Sequence, residues 1–353
     1  MSGMTKFGFK IRTRGGMVVE PFHAKLERGD VPGIERANEP IGECAAHFER
    51  RDQVELARRL GHRRPLPGLA AHAKHSATVQ ATRQISGTMK ASILLAPLAA
   101  LAATLDRDEP RAGAEVPPLW HWLYFTPRPR QSEIGPDGHA RRGGFLPPVP
   151  LPRRMWAGGR LEFLRPLHVG DPIQRESRII KVDAKSGRSG ELVFVTVRHE
   201  IWSPQGVALT EEHDIVYRDA PAPGAPPPTP QSAPSDATFS REIVPDPVLL
   251  FRYSALTFNA HRIHYDRPYV TQVEGYPGLI VHGPLIATLL ADLLRRELPH
   301  ALMRRFAFTA MRPLFDTHAF TLCGRAEPDA RNVTLWARDP EGFLAMQAKA
   351  ELA

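Results

Sequence analysis

The chain contains one succession of elements twice, an apolar helical segment followed by several β-rich runs. The first copy has a helix over 91–106 and strands over 160–218, and the second has a helix over 284–294 and strands over 306–352. The β-rich runs alternate apolar and polar residues and are separated by turn residues, which is typical of antiparallel meanders. This repeat predicts an α+β protein in which each helix packs against an antiparallel sheet.

A Pro-rich stretch over 220–236 separates the two copies. Proline lacks the backbone N–H that a sheet requires, so we expect an extended linker that joins no sheet. The copies then occupy residues 91–219 and 237–353. Residues 1–90 show only brief helical patterns with scattered Gly, Pro, His and Arg, which predicts a poorly packed extension or a segment outside the functional fold.

The positive charge of the chain is concentrated in residues 1–90, which contain 16 Lys and Arg against 9 Asp and Glu. Residues 91–353 contain 30 against 29 and are therefore nearly neutral. A nucleic-acid-binding protein usually places its basic residues on the folded recognition surface. We therefore expect no nucleic-acid partner.

Cysteine content and apolar runs indicate the compartment. Cys44 and Cys323 lie far apart in the sequence, which favours a reducing compartment and no disulfide framework. The longest apolar run, 91–105, is internal, is interrupted by Pro97 and is shorter than the ~20 residues of a membrane span. These features predict a cytoplasmic protein without a membrane segment.

The residues that suit catalysis lie in two blocks of the second copy. The block 253–266 reads YSALTFNAHRIHYD, and the block 276–285 reads YPGLIVHGPL and opens the second helix. The spacing of His261, His264 and Asp266 permits a metal site, although no second cluster of ligands is evident. Alternatively these histidines, His261 in particular, are structural groups at a domain interface.

In a third interpretation, His264 is a general acid–base with Asn259 beside it and Gly283 opposite. Imidazole titrates near neutrality and both takes and gives a proton. The N-terminus of a helix offers unpaired backbone N–H groups and the positive end of a dipole. Together they suit a thioester whose α,β bond gains or loses water, because the carbonyl oxygen becomes enolate-like in that transition state.

The two blocks resemble the MaoC-like family of R-specific enoyl-thioester hydratases and dehydratases. The usual motif there is Ser-Gly-Asp-x-Asn-Pro-Ile-His-x-Asp, followed by His-Gly at the start of the central helix. The version in this chain is similar to a branch that includes mesaconyl-CoA (3-methylfumaryl-CoA) hydratases, itaconyl-CoA-type hydratases and mitochondrial 3-hydroxyacyl-thioester dehydratases. The resemblance covers about residues 95–353, including PPLWHWLYF and GGFLPPVPLPRRMWAGGRLEF, but not 1–90.

The resemblance implies a double hot-dog fold with a non-catalytic first half and a catalytic second half. It places His264 on the catalytic histidine and Gly283 on the glycine whose N–H receives the thioester carbonyl. Asn259 stands where the family usually has its catalytic aspartate. An amide cannot take a proton, so the role expected for Asn259 is to orient water or to hold the substrate. The first half either completes the acyl pocket or is only a scaffold.

Five further side chains are substrate-binding candidates. Arg153 and Arg154 suit the free carboxylate of a C5 dicarboxylic acyl-CoA such as mesaconyl-CoA, although the more common role of such residues is a surface or phosphate-facing charge. Arg262 either meets the phosphates of CoA or is solvated, and Tyr253 and His282 complete the set. We expect no metal and no cofactor beyond the CoA of the substrate.

The expected reaction is the hydration or dehydration of an α,β-unsaturated acyl-CoA. One alternative is a 3-hydroxyacyl-ACP or acyl-CoA dehydratase of fatty-acid synthesis. Another is a non-catalytic module that binds acyl thioesters, which the missing aspartate would explain. A homodimer is compatible with the pattern, but the sequence does not show how it would form.

Overall fold

The computed structural model describes residues 86–353 apart from 109, 142–143, 188–189, 220–228 and 330. The predictions for residues 1–85 and for the first part of the linker therefore lie outside the described residues.

The first half of the described chain contains five strands and one helix. In chain order they are β1 (Ser86–Ser92), α1 (Leu95–Thr104), β2 (Arg153–Phe163), β3 (Pro172–Gly187), β4 (Gly190–Ser203) and β5 (Gly206–Arg218). A long segment with short 3-10 turns connects α1 to β2.

The second half repeats this order and adds one helix. Its elements are β6 (Phe239–Ile243), α2 (Pro247–Thr257), α3 (Gly283–Glu297), β7 (Met303–Ala310), β8 (Phe320–Ala326), β9 (Asn332–Arg338) and β10 (Leu344–Leu352). The predicted repeat of helix and strands is therefore confirmed.

The two halves form one antiparallel sheet of ten strands, in the order β1-β3-β4-β5-β2-β7-β10-β9-β8-β6. The order of the second half mirrors that of the first, and β2 pairs with β7 at the centre. The pairing is close at Gly158, where a Cβ atom would lie 2.5 Å from the carbonyl oxygen of Phe308. A residue without a side chain is required there because the obstacle is backbone.

Helix α3 is the most buried helix of the described chain. All ten residues from Leu285 to Leu294 are buried, and the helix packs against β6, β8, β9 and β10. Such burial of an apolar helix in the curve of a sheet stabilises the second half through the hydrophobic effect. It also fixes the N-terminus of α3 relative to the sheet.

Two expectations about element boundaries need correction. The first helix begins at Leu95, because the residues before it form the edge strand β1, which pairs with β3 and crosses the boundary expected at residue 91. Strand β2 begins at Arg153 and not at Arg160. The last part of the Pro-rich linker adds no strand to the sheet but pairs at one point with the residue before β10, through an isolated bridge between Ser232 and Phe343.

The aromatic segment after α1 packs against the core. Trp120, Leu123, Tyr124 and Phe125 are all buried in it. Among the described residues, no helix is both long enough and apolar enough to cross a membrane.

Candidate active site

Helix α2 delivers the first block of candidate residues. Asp246 caps its N-terminus, and the helix ends at Phe258, which adopts a left-handed conformation with φ of 52°. The N–H of Asn259 donates to the carbonyl of Ser254 at 2.8 Å and closes this end. The following residues therefore form a loop with a short 3-10 turn over Arg262–His264.

His264 has the geometry of a general base. Its Nδ1 lies 2.7 Å from the carbonyl oxygen of Ile280, so Nδ1 carries the proton and Nε2 keeps its lone pair. The residue is only 7% exposed. Burial lowers its pKa to about 4, although the bond to Ile280 opposes this shift. The imidazole is therefore neutral near pH 7 and able to accept a proton.

A buried group of side chains supports the His264 ring. The ring of His282 stacks on it with centroids 3.7 Å apart and an interplanar angle of 17°. Nε2 of His282 shares a hydrogen bond of 2.8 Å with Oγ of Ser254, and the Tyr253 ring packs edge-on at 5.1 Å. His282 is fully buried and Tyr253 is 2% exposed. Their side chains thus position His264, and the expectation that they bind substrate stays a prediction.

Gly283 is the first residue of α3, and its N–H belongs to the unpaired first turn of the helix. A Cβ atom at this position would meet no heavy atom within 4 Å. The space above the backbone is therefore open and not filled by protein. This geometry allows a carbonyl group to approach the N–H of Gly283 closely.

The side chain of Asn259 already forms one hydrogen bond within the motif. Its Oδ1 accepts a hydrogen bond of 3.0 Å from the backbone N–H of His261, which shapes the turn. The Nδ2 amide group, which donates, is left for a further contact. The His261 ring lies edge-on to the His264 ring at 5.5 Å and thus connects Asn259 to the base.

A loop of the first half, residues 131–141, docks on this motif. The carbonyl of Asp137 accepts from the N–H of Arg262 at 2.9 Å, and a Cβ atom at Gly138 would lie 1.8 Å from the carbonyl oxygen of Ala260. Gly138 also has a φ of 90°, which favours glycine. The loop and the motif therefore fit each other backbone to backbone.

The same loop brings a second histidine to the site. The His139 ring lies 3.9 Å from the His261 ring, and its Nδ1 is 2.9 Å from Oδ2 of Asp137. The hydrogen bond from His139 is the largest cause that lowers the pKa of Asp137, so this carboxyl group is ionised. Burial, together with the charges of His139, His264 and Arg154, lowers the pKa of His261 to about 2.

The two candidate arginines of β2 differ in their surroundings. Arg153 lies 3.5 Å from a carboxylate oxygen of Glu274 and 3.3 Å from the hydroxyl of Tyr276. Arg154 has no ion pair or hydrogen bond from its side chain among the described residues, and its charge acts on His261. The structure therefore leaves Arg154, and not Arg153, available near the motif.

Arg262 is engaged in structural bonds, and its expected role as a contact for CoA phosphates stays a prediction. Its guanidinium donates to Asp266 at 2.7 and 2.9 Å and to the carbonyl of Pro136 at 2.9 Å. It also lies over the ring of Tyr269, 4.0 Å from the centroid. Arg262 thus fastens the motif to the loop of the first half.

The region that holds this site matches a known protein family. The family model described as hydroxyacyl-thioester dehydratase type 2 matches residues 119–316. The chain belongs to this family. A mesaconyl-C(4)-CoA hydratase of Chloroflexus aurantiacus is 50% identical over 74% of this chain and 92% of that protein. A mitochondrial hydroxyacyl-thioester dehydratase type 2 of Schizosaccharomyces pombe is 31% identical over 65% of this chain and 86% of that protein.

Solved structures share the fold of this type 2 dehydratase family member. A MaoC-like dehydratase of Phytophthora capsici superposes with a TM-score of 0.56 at 15% identity, over 76% of this chain and 95% of that one. HtdX of Mycobacterium tuberculosis gives 0.54 at 17%, over 76% and 100%. The fold is the double hot-dog expected from the sequence.

In this family member, the side chains of His261, His264 and Asp266, which the sequence offered as metal ligands, do not come together. Asp266 pairs with Arg262, and Nδ1 of His264 is bonded to Ile280. A different trio, Asp137, His139 and His261, brings its ligand atoms within 4.8 Å of one another.

Sequence reasoning missed Asp137 and His139. They lie in the turn Ile-Gly-Pro-Asp-Gly-His, and an Asp followed two residues later by a His is a local signal for an Asx turn. Nothing in this local pattern indicates contact with a motif more than a hundred residues away.

Proposed function

We propose that the protein catalyses the reversible addition of water to an α,β-unsaturated acyl-CoA, with mesaconyl-C(4)-CoA as the substrate. The observation that carries this proposal is the 50% identity to the mesaconyl-C(4)-CoA hydratase across nearly its whole length. The site supports it with a neutral base, His264, close to the N-terminus of α3.

In the hydration direction, Nε2 of His264 takes a proton from water, and the water oxygen bonds to the β-carbon. The electrons of the double bond move towards the thioester oxygen, which the N–H of Gly283 stabilises. The α-carbon then takes a proton and the carbonyl reforms. Nδ2 of Asn259 orients the water or the thioester. The product is a 3-hydroxyacyl-CoA, and no other reactant is consumed.

The free carboxylate of a dicarboxylic substrate needs a cationic partner, and Arg154 suits this role best. It is half-buried on β2, and its charge acts on the motif through His261. Arg153 is already paired with Glu274. A guanidinium that binds a carboxylate through two hydrogen bonds selects such a substrate over a neutral chain.

The test is a hydration assay that follows the loss of enoyl-thioester absorbance, with mesaconyl-C(4)-CoA and crotonyl-CoA compared. We expect a clear preference for mesaconyl-C(4)-CoA. Preference for crotonyl-CoA would contradict the substrate and favour the alternative 3-hydroxyacyl dehydratase, an activity class that the name of the S. pombe hydroxyacyl-thioester dehydratase shares. Absence of turnover on both would favour the non-catalytic binding module.

Arg154→Gln, with Arg153→Gln as the matched control, tests the carboxylate contact. Loss of a charged hydrogen bond of about 1.5–3 kcal/mol predicts a KM for mesaconyl-C(4)-CoA about tenfold or more higher in Arg154→Gln. The KM for crotonyl-CoA stays unchanged because that substrate has no carboxylate. An equal effect on both substrates, or a larger effect in the control, would remove Arg154 from the binding site.

The cytoplasmic location and the homodimer stay predictions from the sequence.

A further inference from the structure

We propose that the first half supplies Asp137 and His139 as a second acid–base group of the active site, in place of the aspartate that the motif lacks. This inference rests on the proposed function. It makes the first half part of the catalytic machinery and not only a scaffold.

The motif of the second half provides one base for a reaction that moves two protons. Hydration removes a proton from water and delivers a proton to the α-carbon. His264 performs the first transfer, but the amide of Asn259 cannot perform the second. Its Oδ1 is moreover occupied by the N–H of His261.

Backbone contacts hold the loop 131–141 in one place against the motif. The carbonyls of Pro136 and Asp137 accept from the side chain and the N–H of Arg262, each at 2.9 Å. Gly138 lies against the carbonyl of Ala260 without room for a Cβ atom. Groups on this loop therefore have a fixed position relative to His264.

Asp137 and His139 form a pair that is suited to proton transfer. The ionised carboxylate of Asp137 accepts from Nδ1 of His139 at 2.9 Å, so Nε2 of His139 is the atom that exchanges a proton. Nε2 has no hydrogen-bond partner among the described residues. The His139 side chain is 27% exposed, so solvent and substrate both have access to it.

The charge of His139 acts on His264. Both rings contact the ring of His261, with centroids 3.9 Å and 5.5 Å from it. After burial, a positive charge on His139 is a further cause that lowers the pKa of His264. A buried neutral imidazole and a partly exposed imidazole beside a carboxylate are suited to different proton transfers. The buried His264 is the base, and His139 beside its carboxylate is the acid.

In the hydration direction, His264 takes one proton from water while the oxygen bonds to the β-carbon. Nε2 of protonated His139 then gives its proton to the α-carbon, and the enolate electrons form the new C–H bond. His264 ends with one proton more and His139 with one proton fewer, and exchange with solvent restores both. Dehydration follows the same steps in reverse.

The experiment uses the full chain with His139→Gln and Asp137→Asn, assayed on mesaconyl-C(4)-CoA. Loss of a general acid predicts a kcat for His139→Gln lower by about 10²-fold or more, with a smaller change in KM. In D2O, we expect the same variant to lose deuterium exchange at the α-carbon of the hydroxyacyl-CoA product. Asp137→Asn loses less because His139 remains.

His168 and Asp171 provide a matched control. They form a histidine–aspartate pair in the first half, with Nδ1 and Oδ2 3.7 Å apart, in the turn between β2 and β3. His168→Gln and Asp171→Asn should retain the wild-type kcat and α-carbon exchange. Equal losses in both sets of variants would overturn the proposal, and so would a His139→Gln kcat within about threefold of wild type.

Rescue separates a catalytic role from a structural one. Asn259→Asp keeps an oxygen for the N–H of His261 and restores the carboxylate of the usual motif. In the His139→Gln background it should recover about tenfold or more of the lost kcat. A loss without rescue would make His139 a structural residue. If thermal unfolding shows that His139→Gln does not fold, Asp137→Asn replaces it, and its kcat is compared with and without Asn259→Asp.

The two proposals fail in different ways. If wild type hydrates neither enoyl-CoA, the proposed function is wrong. If wild type is active and His139→Gln retains kcat and exchange, only the inference is wrong.

Discussion

The two halves of the sheet share one strand order but carry their long insertions at different points. In the first half, the insertion lies between α1 and β2, over 105–152, and in the second it lies between β6 and α3, over 244–282. The two insertions meet where the loop 131–141 contacts the motif. The candidate site therefore lies where the two insertions pack together.

The interiors of the halves also differ. In the second half, the sheet encloses the apolar helix α3. In the first half, the buried carboxylate of Glu211 accepts from His121 at 3.2 Å and from Trp122 at 2.9 Å, and lies 3.3 Å from Nε2 of His213. A buried carboxylate is thus held beside histidines and a tryptophan in the first half, whereas the buried Asp292 of α3 in the second half is held by arginines such as Arg296, at 2.7 Å.

The largest expected effect tests whether chemistry belongs to the second half. His264→Gln removes the base and should lower kcat by about 10²–10⁴-fold, because a positioned general base contributes this much. The hydration assay, with circular dichroism as the control for folding, measures the loss. A wild-type kcat would contradict the assignment of His264 and would shift attention to His139 of the first half.

The next effect tests the buried charge of the first half. Glu211→Ala leaves its buried partners unsatisfied and should lower the free energy of unfolding by about 3–5 kcal/mol, measured by urea denaturation. Glu212→Ala is the matched control. The side chain of Glu212 is 27% exposed and pairs with Arg160, so we expect a loss of about 1 kcal/mol or less. Similar losses in both variants would show that the buried position of Glu211 adds nothing to the stability of the first half.

A glycine in each half tests where substrate approaches. Gly283→Ala places a methyl group in open space, so stability should stay unchanged or rise, whereas kcat/KM should fall by about 10²-fold through displacement of the thioester. Gly144 of the first half is equally open and provides the control, since Gly144→Ala should preserve both. Full activity of Gly283→Ala would show that the thioester does not approach α3 here.

The smallest effect concerns the pH dependence of stability. The pKa of His264 falls from 6.5 to about 4 on folding, so between these values the unfolded chain binds more protons than the folded one. The contribution of neutral His264 to the free energy of unfolding is therefore fully present above pH 6.5 and is lost as the pH falls towards 4. Urea denaturation at several pH values should show a shallower decrease in His264→Gln. An unchanged slope would mean that His264 is not buried in its neutral form.

Local patterns predicted the elements of the second half well. The helix expected over 284–294 lies within α3, because its apolar residues leave few alternatives to burial. Strand β1 was missed because a short edge strand has a weak period and is defined by its pairing with β3. The packing of Tyr253 on His282 and the bonds of Arg262 to Asp266 were not predicted for a related reason, since a sequence does not reveal which tertiary partners engage a polar side chain.

The sequence by itself determined the repeated architecture and located His264, Asn259 and Gly283. Helix periodicity, strand alternation and motif spacing act over short distances along the chain, so they can be read from it. Only the tertiary structure decided which arginine is free and which groups of the first half reach the motif. These depend on the pairing of β2 with β7 and on the docking of the loop 131–141, contacts between residues far apart in sequence that no local pattern encodes.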